Sequence, residues 1–168
     1  MIRRHSLAEI EQAMTAQVEH LALDFPVALA VSNLHRSANA VRTHLTRTVL
    51  RPAGLTWSGF TVLWTVWIWH GLETREVAEL ASISKATLTG VVKTLERDGL
   101  LQRHPVEGDR RLVFLDLTDA GRELLEQLYP AFNAAEAETV AGLDAVQLAE
   151  LTAHLRRVTT RVQDLSDS

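Results

Sequence analysis

The sequence of 168 residues contains no cysteine. Disulfide bonds and any switch that depends on thiol oxidation are therefore excluded. No run of apolar residues approaches the roughly 18 that a membrane-spanning helix needs. The first residues also lack a signal-peptide pattern, because Arg3 and Arg4 are followed by Ser6 and Glu9 and not by an apolar stretch. These absences predict a protein of the cytoplasm with no membrane partner.

Sequence patterns of several catalytic and metal-binding classes are missing as well. There is no GxGxxG, GxxxxGK, GxSxG or HExxH motif. The seven histidines are scattered, and no two are three or four residues apart, so no pair shares a helix face. We expect neither a metal nor a cofactor. A tryptophan-lined pocket with His44 would be the best case for an enzyme, but nothing supplies a positioned nucleophile or base, and we predict no enzymatic activity.

The charge of the chain is unevenly distributed. Hydrophobic residues make up 46% and charged residues 23%, as in a soluble globular protein, and the formal net charge is −4. Residues 85–111 carry six lysines and arginines against four acids, a local charge of +2 that leaves −6 for the rest. A local basic region suffices for contact with phosphates, while an acidic body limits nonspecific binding.

Residues 74–117 predict two short helices joined by a tight turn and followed by a β hairpin. The second helix has the sharper boundaries, because Ser84 is a good N-cap and Gly99 can adopt the left-handed conformation that ends a helix. Its apolar face is formed by Leu88, Val91, Val92 and Leu95. Its other face carries Lys85, Ala86, Thr87, Thr89, Gly90, Lys93 and Arg97. A small, polar and basic face suits a helix in the major groove of DNA, since bulky side chains would hold it away from the base edges.

The hairpin consists of two β-type segments, Leu100–Pro105 and Arg111–Leu117, with turn residues between them. A helix-turn-helix with such a hairpin is a winged helix. The informative residues are Leu55-Thr56, Phe60, Leu80-Ala81, Ser84–Thr87, Leu95–Leu100, Asp109–Arg111 and Leu117–Gly121. Together they resemble the MarR family of bacterial transcriptional regulators. The resemblance covers about Leu55 to Arg122 in detail and the flanking helices only in pattern.

The resemblance implies a DNA-binding lobe and candidate contacts within it. These are Ser84, Lys85, Ala86, Thr87, Thr89, Gly90, Lys93, Arg97, Arg103, Arg110 and Arg111. It also implies that an arginine of the wing enters the minor groove. The family often has a larger polar residue at the position of Gly90, so the base preference stays open. The alternative is a plain scaffold with a solvated basic face, but the paired wing arginines favour DNA binding.

Helical patterns flank the lobe on both sides. Before it, Ser6 to Glu9 form a capping box, and a longer helix follows Asp24 and ends before Pro52. The short first helix is extra relative to the simplest family members; we expect it to pack on the dimer, with a partner-seeking arm as the alternative. After the lobe, a helix starts at Asp119 and should kink or end at Tyr129-Pro130.

The last predicted helix, after Leu143-Asp144, has a stripe with heptad spacing. The stripe consists of Leu148, Leu151, Leu155, Val158, Val162 and Leu165. A bundle within one chain could explain it, but two helical sets that flank a compact lobe are typical of a dimerisation domain. We therefore predict a mainly α fold with a small antiparallel β hairpin. Residues 1–54 and 119–168 would dimerise, and residues 55–118 would form the winged helix-turn-helix.

All four tryptophans lie in one predicted helix that starts at Thr56. Phe60, Leu63 and Trp67 share a core stripe, whereas Trp57 and Trp64, seven residues apart, share another face. In the family, small aromatic or carboxylate effectors bind between this helix, the long N-terminal helix and the DNA-binding lobe. Trp57 and Trp64 are therefore candidates for stacking on such an effector, with His44 and Arg47 at its polar end. The alternative is that both indoles pack against other helices of the dimer.

Together these patterns predict a homodimeric regulator that binds double-stranded DNA sequence-specifically. We expect a repressor, with an activator as the alternative, on a pseudo-palindromic operator and released by a small aromatic or anionic effector. The alternatives are a helical protein–protein interaction module and a DNA-binding protein without an effector.

Overall fold

The computed structural model describes residues 5–106 and 109–166, and only the backbone at residues 105–106 and 109–112. The helices are α1 (Leu7–Val18), α2 (Phe25–Leu45), α3 (Trp57–Trp69), α4 (Thr74–Leu80), α5 (Lys85–Arg97), α6 (Asp119–Thr139) and α7 (Ala145–Ser166). The strands are β1 (Leu72–Glu73), β2 (Leu101–Val106) and β3 (Asp109–Leu117). The prediction of a mainly helical winged-helix fold is confirmed. Within the described ranges, none of the helices has the length and apolar character needed to cross a membrane.

The sheet has three antiparallel strands in the order β1-β3-β2. Strands β2 and β3 form the predicted hairpin, in which Leu101 pairs with Leu117 and the register shifts between Pro105 and Val106. Strand β1 was not predicted. It has only two residues, and Leu72 pairs with Leu115, a contact too short to leave a period-2 pattern in the sequence.

The chain divides into two compact units, one up to Thr43 and one from His44 onward. In the first unit, the Asn33 side-chain amide donates to the Glu11 carboxylate at 2.8 Å and joins α2 to α1. The predicted capping box begins α1: the Glu9 backbone N–H donates to the Ser6 hydroxyl, and the Ser6 backbone N–H donates to the Glu9 carboxylate at 2.7 Å. The hydrogen bonds from the Ser6 backbone and hydroxyl lower the pKa of Glu9.

Helix α2 continues beyond Leu45 as a π-helical turn, Thr46–Leu50. The Arg51 N–H donates to the Thr46 carbonyl, five residues earlier, at 2.9 Å. A π turn brings residues five apart towards the same side. Leu45 and Leu50 are accordingly both buried in the core of the second unit.

Helix α6 is continuous through Pro130, so of the two outcomes predicted at Tyr129-Pro130, a kink or an end, the end is wrong. Proline in a helix interior costs about 3 kcal/mol through a lost hydrogen bond and steric crowding. Buried residues lie on both sides of Pro130, with Leu125 and Leu128 before it and Phe132 and Ala135 after it. We infer that packing of this stripe outweighs the cost of the proline.

Candidate nucleic-acid interface

Helices α4 and α5 form the helix-turn-helix. The turn is closed by the Ile83 N–H, which donates to the Ala78 carbonyl at 3.0 Å. Ser82 has a φ of 52°, a left-handed conformation that is uncommon for a residue other than glycine. The turn therefore places the start of α5 directly after α4 at the cost of some backbone strain.

The ends of α5 are those that the sequence predicts. The Thr87 N–H donates to the Ser84 hydroxyl at 3.1 Å, which makes Ser84 the N-cap. At the other end Gly99 has a φ of 71°, and the Leu100 N–H donates to the Leu95 carbonyl at 2.9 Å. Leu88, Val92 and Leu95 are buried, whereas Val91 is only partly so. One face of α5 is thus fixed by the core of the lobe.

The other face of α5 is exposed along its length. Its exposed residues are Lys85, Ala86, Thr87, Thr89, Gly90, Lys93, Thr94 and Arg97. The Thr89 hydroxyl donates to the Lys85 carbonyl at 2.9 Å, and the oxygen still has lone pairs that can accept a hydrogen bond. Among the side chains that the structure describes, no carboxylate lies within ion-pair distance of Lys85 or Lys93. These two lysines can present their full charge to a polyanion.

Two arginines of the predicted interface have acidic neighbours instead. Arg97 Nε lies 3.0 Å from Asp98 Oδ1, and Arg103 Nε lies 2.9 Å from Glu96 Oε2. The second pair joins strand β2 to α5 and was not predicted, since the sequence does not show which side of β2 faces the helix. The local charge of Arg97 and Arg103 is therefore partly neutralised.

The wing is anchored at its base by residues that the sequence did not single out. The Thr74 hydroxyl donates to the Val113 carbonyl at 2.8 Å and joins α4 to β3. Asp116 accepts a hydrogen bond from the Gly71 N–H at 3.2 Å and lies 3.5 Å from His104 Nε2. The backbone of Arg110 and Arg111 belongs to β3, but their side chains lie outside what the structure describes. Their contact with DNA stays a prediction.

Gly90 is not required by packing. It lines a shallow cleft with Thr94 of α5 and with Thr56 and Gly59 at the start of α3. A Cβ atom at Gly90 would meet no atom within 4 Å. The missing side chain therefore leaves this side of α5 open to an approaching surface.

Three of the four tryptophans of α3, Trp57, Trp64 and Trp67, belong to one aromatic cluster with α6, whereas Trp69 is exposed. Trp64 stacks on Tyr129 with ring centroids 4.5 Å apart, and Phe60 stacks on Phe132 at 4.3 Å. Trp57 lies 6.4 Å from Phe60 and 6.5 Å from Phe132. Both predicted ligand-binding indoles are half-buried, so each packs on rings of its own chain and keeps part of its surface accessible.

His44 and Arg47 lie at the junction of α2 and the π turn. His44 Nε2 is 3.6 Å from the Glu138 carboxylate of α6, and this buried nitrogen has no hydrogen-bond partner. Arg47 is exposed. In the part of the chain that the structure describes, no hydrogen bond or ion pair joins His44 or Arg47 to either indole, and no cluster of three or more His, Asp or Glu could hold a metal.

Comparison with known proteins gives consistent matches. A model of the MarR family matches residues 55–113. The chain is 38% identical over 157 residues to YwaE, an uncharacterized HTH-type transcriptional regulator of Bacillus subtilis (strain 168), and the match covers 94% of this chain and 91% of YwaE.

Two solved structures share the fold at a TM-score of 0.73. Sco3205, a MarR family transcriptional regulator from Streptomyces coelicolor in complex with DNA, is 27% identical, with coverage of 80% of this chain and 90% of Sco3205. BpsR of Bordetella bronchiseptica, whose DNA binding is regulated by 6-hydroxynicotinic acid, is 25% identical, with coverage of 77% and 98%.

Proposed function

Because the chain belongs to the MarR family of DNA-binding transcriptional regulators and not to a family of enzymes, we propose that it acts as a homodimeric repressor. Its operator would be a pseudo-palindrome with half-sites about one helical turn apart, since a two-fold dimer presents two recognition helices. A small aromatic or anionic molecule would release it from DNA.

The observation that carries this proposal is the division of α5 into two faces. Leu88, Val92 and Leu95 hold one face in the core, and the exposed face has small or hydroxyl-bearing residues between Lys85 and Lys93. Small residues permit close approach to base edges, hydroxyls can donate or accept there, and lysines contact phosphates. We propose that Thr87 and Thr89 read bases and that Lys85 and Lys93 supply most of the charge.

Support for the dimer comes from α7. The heptad stripe predicted from the sequence, which includes Leu151 and Leu155, is exposed in a single chain. An apolar stripe of this length on a soluble helix is typical of a surface that a second helix covers. We propose that α7, together with the N-terminal helices, forms the dimer interface.

The wing arginines would add a second contact. Arginine prefers narrow, A·T-rich minor grooves because of their deeper negative potential. We propose that Arg110 or Arg111 enters the minor groove beside the major groove occupied by α5. The Arg110→Ala, Arg111→Ala double variant should lose affinity and keep the thermal midpoint of the wild type. Unchanged DNA affinity would exclude a wing that touches DNA.

The test of the main proposal is a gel-shift assay with fragments from around the gene that encodes this protein, against unrelated DNA of equal length. We expect a specific complex whose affinity falls steeply with salt, as phosphate contacts require. Equal binding to all fragments, or none to any, would contradict a sequence-specific operator and favour an interaction module.

The effector is proposed to bind at the aromatic cluster. The accessible parts of Trp57 and Trp64 could stack on an aromatic ring, and Arg47 and His44 could donate hydrogen bonds to its carboxylate. BpsR, which shares the fold, responds to the aromatic acid 6-hydroxynicotinic acid. Such a ligand would release DNA only if it favours a conformation in which the two recognition helices no longer match successive major grooves.

The proposed effector site is tested by titrating tryptophan fluorescence with a panel of aromatic carboxylates, including salicylate and 6-hydroxynicotinic acid, beside the gel-shift assay. We expect one or more compounds to quench the fluorescence and to release DNA over the same concentration range. Quenching without release would leave a binding site but no switch. No response to a broad panel would mean that the indoles serve only the core.

A further inference from the structure

Thr118 lies between the recognition helix and α6 and is bonded to both. Its hydroxyl donates to the Gly99 carbonyl at the end of α5 at 2.6 Å and accepts a hydrogen bond from the Gly121 N–H, as the N-cap of α6, at 3.0 Å. Its backbone N–H donates to the Leu100 carbonyl at 3.2 Å. One residue therefore closes the end of α5 and the start of α6 together.

Close packing surrounds the same junction. Gly121 is buried, and a Cβ atom at this position would collide with the backbone carbonyl of Leu100. The first turn of α6 thus lies directly on the chain that leaves α5. Because backbone packs on backbone here, no flexible side chain can absorb a relative movement of the two helices.

Helix α6 leads from this junction towards the proposed dimer interface. It has 21 residues, which corresponds to a rod of about 30 Å. Its buried residues Leu125, Leu128 and Phe132 fix it on the core of the lobe, and the turn at 140–144 connects it to α7. In a dimer held by α7, the orientation of α5 on α6 would decide how far apart the two recognition helices lie.

We propose that Thr118 is a positioning residue: its hydroxyl fixes α5 against α6 and so sets the half-site spacing that the dimer accepts. The inference rests on the proposed dimeric DNA-binding function and adds a determinant of spacing outside the DNA-contacting face. The role needs a short side chain that donates to one group and accepts from another. A hydroxyl does both, whereas an ionised carboxylate only accepts.

Two substitutions separate positioning from capping. Thr118→Ser keeps both hydrogen bonds. Thr118→Asp keeps a good N-cap for α6 but cannot donate to the Gly99 carbonyl. A matched control is Thr139→Val, which removes a hydroxyl that bonds only to the Glu136 carbonyl at the other end of α6.

The experiment measures the dissociation constants of the full-length protein on its operator and on duplexes in which the half-site spacing is longer or shorter by one base pair. We expect the wild type, Thr118→Ser and Thr139→Val to prefer the native spacing by the same ratio. Thr118→Asp should lower that ratio at least fivefold while its thermal midpoint stays close to that of the wild type. If its added charge unfolds the lobe, Thr118→Ala, which also lacks the donor, is measured in the same way.

A folded Thr118→Asp or Thr118→Ala variant with the wild-type ratio would overturn the inference, and so would a wild type that binds its operator without preferring a spacing. Both results leave sequence-specific DNA binding by the chain intact, and the second would also contradict the fixed half-site spacing of the proposed operator. A wild type that binds no DNA specifically would instead overturn the proposed function itself.

Discussion

Helices α5 and α7 are both amphipathic, yet their apolar faces differ in how far they are buried in a single chain. In α5 the apolar residues Leu88, Val92 and Leu95 have exposed fractions of 0%, 1% and 3%. In α7, which the structure describes completely, no residue is buried, and the heptad stripe from Leu148 to Leu165 is 37% to 60% exposed. The apolar face is therefore buried within the chain in α5 and left exposed in α7.

This difference distinguishes a lobe that folds around its own core from a helix whose apolar surface is available for association. The winged-helix lobe buries its own core, so its shape should not depend on protein concentration. The stripe of α7 is exposed in the described structure, and burial of a leucine or valine contributes roughly 1.5–3 kcal/mol. A second copy of the chain would supply that burial. The following predictions challenge or refine this contrast, from the largest expected effect to the smallest.

The largest effect is expected from charges on the α7 stripe. The Leu151→Glu, Leu155→Glu double variant should dissociate the dimer, because two carboxylates would be buried at the interface. A monomer contacts only one half-site, so operator affinity should fall by at least about 1,000-fold, or about 4 kcal/mol. Light scattering measures the mass and gel shift the affinity.

The control for this variant is Ala153→Glu, on the side of α7 opposite the stripe. It should leave the mass and the affinity unchanged. A double variant that remains dimeric would show that α7 is not the interface, and a wild type that is monomeric at micromolar concentration would exclude the dimer altogether.

A pair of cavity substitutions should separate the two helices by their dependence on concentration. Leu88→Ala removes a fully buried side chain and should lower the free energy of unfolding by about 3 kcal/mol at every protein concentration. Leu155→Ala should lower the thermal midpoint more in dilute than in concentrated samples, because it weakens association. Thermal unfolding over a hundredfold range of concentration measures both. The same concentration dependence in the two variants would contradict the contrast.

Within α5, Lys93→Ala should change the overall affinity for DNA, whereas Thr89→Ala should change the base preference. Loss of a phosphate contact reduces the slope of log K against log salt by about 0.9, or roughly two for both subunits of a dimer. Lys93→Ala should therefore weaken all operator variants about equally, by roughly tenfold at low salt. Thr89→Ala should keep the salt slope and change which base is preferred at one position of each half-site. Identical behaviour of both variants on a panel of operators would overturn this division.

The smallest effect concerns Gly90. Replacement by alanine fills empty space, and alanine favours a helix interior over glycine by about 0.8–1 kcal/mol. Gly90→Ala should therefore raise the free energy of unfolding by about that amount, whereas Gly121→Ala should lower it. Denaturant unfolding measures both. The affinity of Gly90→Ala for the operator is measured as well. Because this variant should be more stable than the wild type, a loss of affinity would arise at the DNA interface and not from damage to the fold.

The sequence predicts those features that depend on local patterns. The capped ends of α5 at Ser84 and Gly99, the capping box at Ser6 and the stripe of α7 all follow from residue types at fixed spacings. Of the kink or end predicted at Tyr129-Pro130, the end was wrong because packing of α6 residues such as Phe132 on the lobe overrides the local rule.

Contacts between distant residues were not predictable in the same way. The Arg103–Glu96 pair, the short strand β1 and the junction at Thr118 depend on how elements meet in three dimensions, and no local spacing encodes them. For the candidate site, residue types indicated a DNA-facing helix. They did not show that Arg97 and Arg103 have acidic partners or that Trp57 and Trp64 share a cluster with Tyr129 and Phe132.

The most direct test of the central claim is a map of where α5 lies on the operator. Because the chain has no cysteine, Thr94→Cys, at an exposed position of α5 outside the proposed DNA contacts, introduces a single thiol to which an iron chelate that cleaves DNA can be attached. We predict two cleavage clusters, symmetric about the operator centre and about 10 base pairs apart, and none from the same label attached through Ala153→Cys on α7. Cleavage from α7 alone, or a bound complex that the label at Thr94→Cys does not cleave, would contradict the account.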